Sequence, residues 1–360
     1  MMLSPFAKSC PTSSALQDGT ESSTRSGRFA WRALGIAAAA MVMQGCTMVY
    51  KTTGDILVNF GRGEMTPYVL TYDDLGMACA TGEGFTPFLT SFEAVGSKPN
   101  RLSVLMNTMA ATCSDAMAIE EELRYLRAMN RGDVTEAQDA RSAQKRWAQL
   151  SAKRQYEAYQ RTVKQYGEVE TLDDCPRLRQ DFDEIVFMTG LLSGVQSLLN
   201  DAASDVSQGI PRDIAAKVER AAQCLDNEKW WGVPRGIRAS LWNILPMIAP
   251  DNVDAMAELR QAAQLGFDSG VRLSSTLYVI SAYSTGNDEE VRNGLRDFAQ
   301  NADNLNPDYA MMDAIGGFML LGISDRLWTE ATGKRTPFGG IGTFWDDRSS
   351  DESINIDDLL

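Results

Sequence analysis

Whatever chemistry this chain performs, it performs without histidine: none occurs among its 360 residues. That count excludes Ser-His-Asp hydrolases, Cys-His proteases, zincins and the common His-ligated metal centres. Cysteine is the next reactive type, at Cys10, Cys46, Cys79, Cys113, Cys175 and Cys224. No two of them make a C-x-x-C pair and no histidine could complete a site, so no metal is expected; no cofactor is expected either. Gly333-Lys334-Arg335-Thr336 has the ending of a phosphate-binding loop, but Trp328 stands where the first glycine should be. The glycines from 339 to 342 follow no strand and are not a dinucleotide fingerprint. Carboxylates are abundant, which leaves acid–base hydrolysis of a sugar chain open on composition. Glu120, Glu121 and Glu122 are consecutive on one helix, point in different directions and read as a solvated face. The formal charge of −14 argues against a nucleic-acid partner.

A second set of side chains is apolar. Trp230-Trp231 precedes Gly232 and Pro234, and Trp242 lies one helix further on. Met311, Met312, Phe318, Met319, Leu320 and Leu321 make the last helix apolar on more than one side. Residues of these types fill the core between stacked helices, and they also line grooves for apolar ligands or partner helices. Trp230, Trp231, Trp242, Met311 and Phe318 are therefore the candidate apolar ligand surface, with core filling as the competing reading.

Cys46 has the most telling surroundings. Arg25, Arg28 and Arg32 form a basic region, the stretch 33–43 is apolar, and Gln44-Gly45-Cys46 closes it. Such a stretch is too short to cross a bilayer as a helix, and the pattern is that of an export signal. With the cysteine directly after a small residue, it resembles a bacterial lipoprotein signal, and the resemblance implies acylation of Cys46 as the first residue of the processed chain. Met43 stands where that family usually has Leu. Thr47 at the next position implies the outer rather than the inner membrane. Removal of residues 1–45 takes away four Lys/Arg and two Asp/Glu, which leaves a charge of −16. An acidic body repels anionic lipid heads, so the lipid would be the anchor. Outside the cytoplasm, an even set of four remaining cysteines suggests disulfides, with three pairings open. Cys79–Cys113 and Cys175–Cys224 would each tie neighbouring helices. Four buried free thiols are the alternative.

The elements that position these residues read as helices throughout. Between 100 and 130, apolar side chains recur at Leu102, Leu105, Met106, Met109, Cys113 and Met117, then at Leu123, Leu126 and Met129, a helical and not a strand period. Arg131-Gly132-Asp133 is a turn, and Thr135 is placed to cap a second long helix to 166. Arg154, Arg161 and Lys164 alternate there with Tyr156, Tyr159 and Tyr166, as a solvated helix face with aromatic edges. Before this hairpin, helices are expected at 48–60, 67–79 and 87–95, separated by Gly61, Gly63, Gly82 and Gly84. After it they are expected at 181–203, 211–226, 233–248, 253–267, 272–284, 289–302 and 307–332. No run of about 18 uncharged apolar residues occurs, which argues against a multi-span membrane protein. The expected architecture is all-α: an irregular helical-repeat array of about ten helices, a degenerate tetratricopeptide-like α-solenoid without a strict period. Residues 46–337 form the helical domain, with sub-lobes at 46–170 and 171–337. The acidic segment 338–360 is expected to be a disordered tail.

Taken together, the lipoprotein-type signal, the helical body and the hairpin resemble the T component associated with TRAP transporters. The likeness is carried by Leu123-Arg124-Tyr125-Leu126-Arg127-Ala128, the Gly132-Asp133 turn and the Ala-rich helix that follows. It covers about a third of the chain. It implies a non-enzymatic periplasmic lipoprotein that oligomerises and binds an apolar ligand or a protein partner, accessory to a solute importer. The four cysteines and the long C-terminal helices are outside that family's pattern. A structural scaffold at the outer membrane is the second expectation, and a carboxylate-based envelope hydrolase the third. A lytic transglycosylase would carry a Glu-Ser pair inside the fold, but Glu21-Ser22 and Glu352-Ser353 fall in the leader and the tail.

Overall fold

The computed structural model describes residues 47–347. Residues 47–50 are helical and belong to an N-terminal unit, Met1–Tyr50; the rest belong to the unit Lys51–Leu360. Cys46, with its expected lipid, lies outside the described residues. Among those residues there is helix but no strand.

Within the second unit, α1 (51–60) runs through a π-helical turn (Gly61–Met65) into α2 (Thr66–Leu70). Then come α3 (Leu75–Ser91), α4 (Asn100–Arg131), α5 (Val134–Tyr166), α6 (Asp181–Ala203), α7 (Ile214–Ala222) and α8 (Val233–Ile244). The C-terminal helices are α9 (Ala255–Ser269), α10 (Leu273–Ser284), α11 (Asp288–Gln300) and α12 (Ala310–Thr332). Side-chain caps define several starts. Asp74, Asp133 and Asp254 accept from the backbone N–H three residues on, at 2.9, 3.1 and 2.9 Å. Asp133, not Thr135, is therefore the cap of α5. Gly132 ends α4 with φ +71°, a conformation open to glycine at little cost.

The early boundaries differ from those read off the glycines. α3 continues through Gly82, Gly84 and Pro87. A Cβ on Gly82 would fall 2.4 Å from the Ala110 amide nitrogen and 2.7 Å from the Met106 carbonyl oxygen. The glycine is thus where α3 and α4 touch backbone to backbone, not where a helix stops. Pro87 sits on the exposed side, where the carbonyl it leaves unbonded can meet water. The break falls earlier, after Leu70, because Asp74 caps a new helix.

Helices follow one another as packed neighbours. α4 lies between α3 and α5, α5 packs on α6, and the chain proceeds pairwise through α7, α8, α9, α10 and α11. α12 then returns across α10 to α4. Its contacts there are polar and specific. Arg326 pairs with Glu122 and donates to the Tyr283 hydroxyl at 2.7 Å, Arg335 reaches Glu120 at 2.9 Å, and Asn130 donates to the Thr329 carbonyl at 2.7 Å. This return makes one unit of what was expected as two sub-lobes. It also corrects the reading of the three glutamates as a solvated face: Glu121 pairs with Arg124, so each of the three carries an ion pair.

The expected tail is corrected as well. Residues 338–347 fold back on α11 and α12. Phe344 is buried, Arg292 grips Asp346 with two hydrogen bonds of 2.8 and 3.0 Å, and the Trp328 indole donates to the Thr343 carbonyl at 3.0 Å. The apolar residues of Phe344-Trp345 outweigh the acidic ones there, and the acids find arginines. Residues 348–360 lie outside the described residues.

α4 and α6 are long and apolar enough, by length and composition, to cross a membrane. In this fold half of the apolar window of α4, and 61% of that of α6, is buried inside the array. The structure pairs Cys79 with Cys113, joining α3 to α4, and Cys175 with Cys224, joining the segment before α6 to the end of α7. Their Cα atoms are 5.3 and 5.5 Å apart, within the range a disulfide spans. Thiol titration of denatured, unreduced protein isolated from an oxidising compartment should find none of these four free. Four titratable thiols would overturn both pairings.

Candidate functional site

The array forms a partly open cavity of about 150 Å³. Its lining shows a regularity that follows from the pairwise packing. α2, α4, α6, α8, α10 and α12 all contribute, while α3, α5, α7, α9 and α11 contribute nothing. Even-numbered helices thus form the inner layer and odd-numbered ones the outer, as in a solenoid whose concave side has been closed by its last helix. Each inner helix presents one face at three- to four-residue spacing. α6 uses Thr189, Leu192, Val195, Gln196 and Leu199; α12 uses Met311, Met312, Ile315, Phe318 and Met319. The walls are mainly aliphatic, thioether and threonine side chains, with Phe318, Gln196, Ser240 and Asp115 among them.

Most polar groups in the wall are already committed. Thr108 bonds to Ser193 at 2.8 Å and to the Val104 carbonyl at 3.0 Å; Thr112 bonds to the Thr108 carbonyl at 3.2 Å; Ser240 bonds to the Leu277 carbonyl at 3.3 Å. The Thr276 hydroxyl, buried between α10 and α12, has no partner among the described residues.

Asp115 is different. It continues the inner face of α4 after Leu105, Thr108, Met109 and Thr112, and it is the one charged side chain among the lining residues described. Its Oδ1 accepts from the Ser151 hydroxyl and from Asn200 Nδ2 at 3.0 Å, and its Oδ2 accepts from Gln155 Nε2 at 3.1 Å. Asn200 also donates to Gln155 Oε1 at 2.9 Å, which locks the three together. Burial pushes the Asp115 carboxyl up to about 6, against the opposing pull of the Ser151 and Asn200 hydrogen bonds, the Arg154 charge and the Gln155 hydrogen bond. Arg154 does not pair with it directly. Its Nη1 serves the Ala110 carbonyl, Ser114 Oγ at 2.9 Å and Glu83 Oε1 at 2.7 Å.

Of the residues proposed from sequence as an apolar ligand surface, Met311 and Phe318 line this cavity. The three tryptophans do not. Trp230 and Trp231 belong to the core around α6, α7 and α8, with Trp231 against Trp230 at 5.3 Å and against Tyr309 at 4.4 Å between ring centres. Trp242 faces α9, α10 and α11 in a second core. Their size filled space between layers, and Trp242 sits on the side of α8 opposite the lining residues Ile237 and Ser240. Trp231 also holds φ at +54°, which a bulky side chain rarely adopts, followed by Gly232 at +77°. A Cβ on Gly232 would lie 2.3 Å from the Ala262 carbonyl oxygen, so this tight entry to α8 is set by packing against α9.

Two other sequence features resolve into structure. Gly333 ends α12 with φ +76°, Arg335 pairs with Glu120, and the Thr336 amide donates to Asp325 at 3.1 Å, so the segment resembling a phosphate loop is a helix-terminating turn. The basic stripe of α5 is spent internally: Arg161 pairs with Glu93 and Glu157, and Tyr166 donates to Asp183 at 3.1 Å. Asp115 itself was missed. Its signal was the polar run Thr112-Cys113-Ser114-Asp115 interrupting an apolar helix.

No family model, no curated protein and no solved structure matches this chain.

Proposed function

We propose that this chain is a lipid-anchored helical-repeat protein of the bacterial envelope that holds an apolar ligand in the cavity between its inner helices. The cavity carries the reading: an apolar chamber built from one face of every inner helix, including Met311 and Phe318. A dry apolar cavity of about 150 Å³ accommodates a molecule of benzene size. Melting of the purified protein should therefore rise with hexanol or toluene as probe, by about 2.7 kcal/mol of added stability at a hundredfold excess over the dissociation constant. Ile315→Trp, which fills the chamber from α12, should keep or raise the melting temperature and abolish the probe effect. If neither probe stabilises the wild type, the ligand-binding reading falls and the scaffold reading takes its place.

Anchoring rests on Met43-Gln44-Gly45-Cys46. Cys46→Ala should release the protein from membranes or leave it unprocessed; a variant that stays in the membrane fraction at normal mass removes the anchor. The T-component role rests on the residue resemblance alone, and it requires that the protein isolated from its host bring down a subunit of a solute importer.

A further inference from the structure

Among the described residues the cavity wall has a single charge, and its placement says more about the ligand than the apolar walls do. A carboxylate offers about four acceptor positions on its two oxygens. At Asp115 three are taken by neutral donors: the Ser151 hydroxyl, Asn200 Nδ2 and Gln155 Nε2. These come from α5 and α6, behind the wall, and fix the carboxylate at the end of the α4 stripe. One acceptor position remains. No Lys or Arg lies within ion-pair distance of Asp115 among the described residues, and Arg154, whose charge acts on it from further away, is paired with Glu83. A partly buried carboxylate in an apolar wall is here without the counter-charge that usually accompanies one.

Building on the apolar-ligand reading above, we propose that the ligand is a cationic amphiphile: a short apolar body with one ammonium-type head that donates to Asp115. The head supplies the missing positive charge and fills the open acceptor position, and the body lies along α6, α10 and α12. A neutral alcohol of the same size could donate its O–H to the open position but would bring no counter-charge. Carboxylates, fatty acids included, would meet like charge and be turned away. Asn200 and Gln155 are positioning residues here, since they hold the carboxylate and each other.

The test compares three six-carbon probes at pH 7.5, hexylamine, hexanol and hexanoate, by calorimetric titration into the purified wild-type protein. Hexylamine should bind about tenfold or more tighter than hexanol, the difference a charged hydrogen bond makes, and hexanoate should bind weakest. Asp115→Asn should bring hexylamine down to the level that hexanol reaches in the same variant, with its folding checked by melting. Equal binding of amine and alcohol to the wild type, or a preference for amine that survives Asp115→Asn, overturns the cationic head while leaving the apolar cavity reading intact. Tighter binding of hexanoate than of hexylamine also overturns it. Failure of all three probes to bind overturns both. The wild-type ranking needs no variant, so a poorly folded Asp115→Asn does not blunt the test.

Discussion

Asp313→Ala is expected to cost about 3–5 kcal/mol of folding stability, the loss seen when one partner of a buried ion pair is removed. Asp313 stands in the first turn of α12 and Arg272 caps α10; both side chains are more than 90% buried. The pair is bidentate, with Arg272 Nε donating to Oδ1 at 2.8 Å and Nη2 to Oδ2 at 2.6 Å. Arg272 Nη1 donates to the Phe298 carbonyl at 2.7 Å, and the guanidinium lies 3.7 Å from the centre of the Phe298 ring. Three segments therefore meet at one arginine: the start of α10, the end of α11 and the start of α12. Alanine at 313 would strand that guanidinium in a site closed to water. Whole domains of this kind are stable by only about 5–15 kcal/mol, so urea midpoints should fall steeply. Replacing both partners, as in Arg272→Met with Asp313→Leu, should cost far less, because no charge is left uncompensated. A loss below about 1 kcal/mol for the single variant would show that water reaches the arginine and that the clamp is not what holds α12 in place.

That clamp bears on the cavity. Leu273, Met311 and Met312, all lining residues, are the immediate neighbours of the pair. If α12 lifts away, the chamber opens on its whole C-terminal side. A weakened variant should thus lose probe binding before it loses helix content by circular dichroism.

The helical class was legible from spacing alone, and α6 at Asp181–Ala203 falls where the apolar period begins and ends. Long helices with a clean period announce themselves, since burial repeats every three to four residues. What was not legible depends on contacts distant in sequence. Gly82 looked like a helix stop and is a contact point with α4, because a glycine's local preference is the same in both cases. Phe344 lies in an acidic, glycine-rich segment, and what makes that segment foldable is distant in sequence: Arg292 and Arg296 on α11 and Trp328 on α12. The tryptophans and Met311 were grouped by type; which of them face the chamber depends on the rotation of α8 and α12, which composition does not encode. The alternation of inner and outer helices escaped for a related reason. Helix lengths vary, from five residues in α2 to 33 in α5, so the layering repeats in space without a period in sequence.

Asp115→Asn should make the protein more stable at pH 7, on the order of 1–3 kcal/mol, and this gain should vanish at pH 4. The sign follows from the direction of the shift. An Asp in the unfolded chain titrates near 3.9, whereas burial has pushed Asp115 up to about 6. Between those values the folded state binds the proton more tightly, so stability from this group falls as pH rises from about 4 to 6. Above 6 the folded chain carries the desolvation penalty of the charge; below 4 both states are largely neutral and little of it remains. Asparagine carries no charge at any pH, so it removes the penalty but must turn one amide of the Gln155–Asn200 cluster to regain its hydrogen bonds, which sets the lower end of the range. Denaturant unfolding of both proteins at pH 4 and pH 7 gives the comparison. A variant less stable at pH 7 by more than about 1 kcal/mol would mean that Asp115 stabilises the fold as an anion, and its place in the cavity wall would then be explained by architecture. A variant more stable at pH 7 would mark Asp115 as a group the fold tolerates at a cost, which is the expected condition of a charge that waits for a ligand.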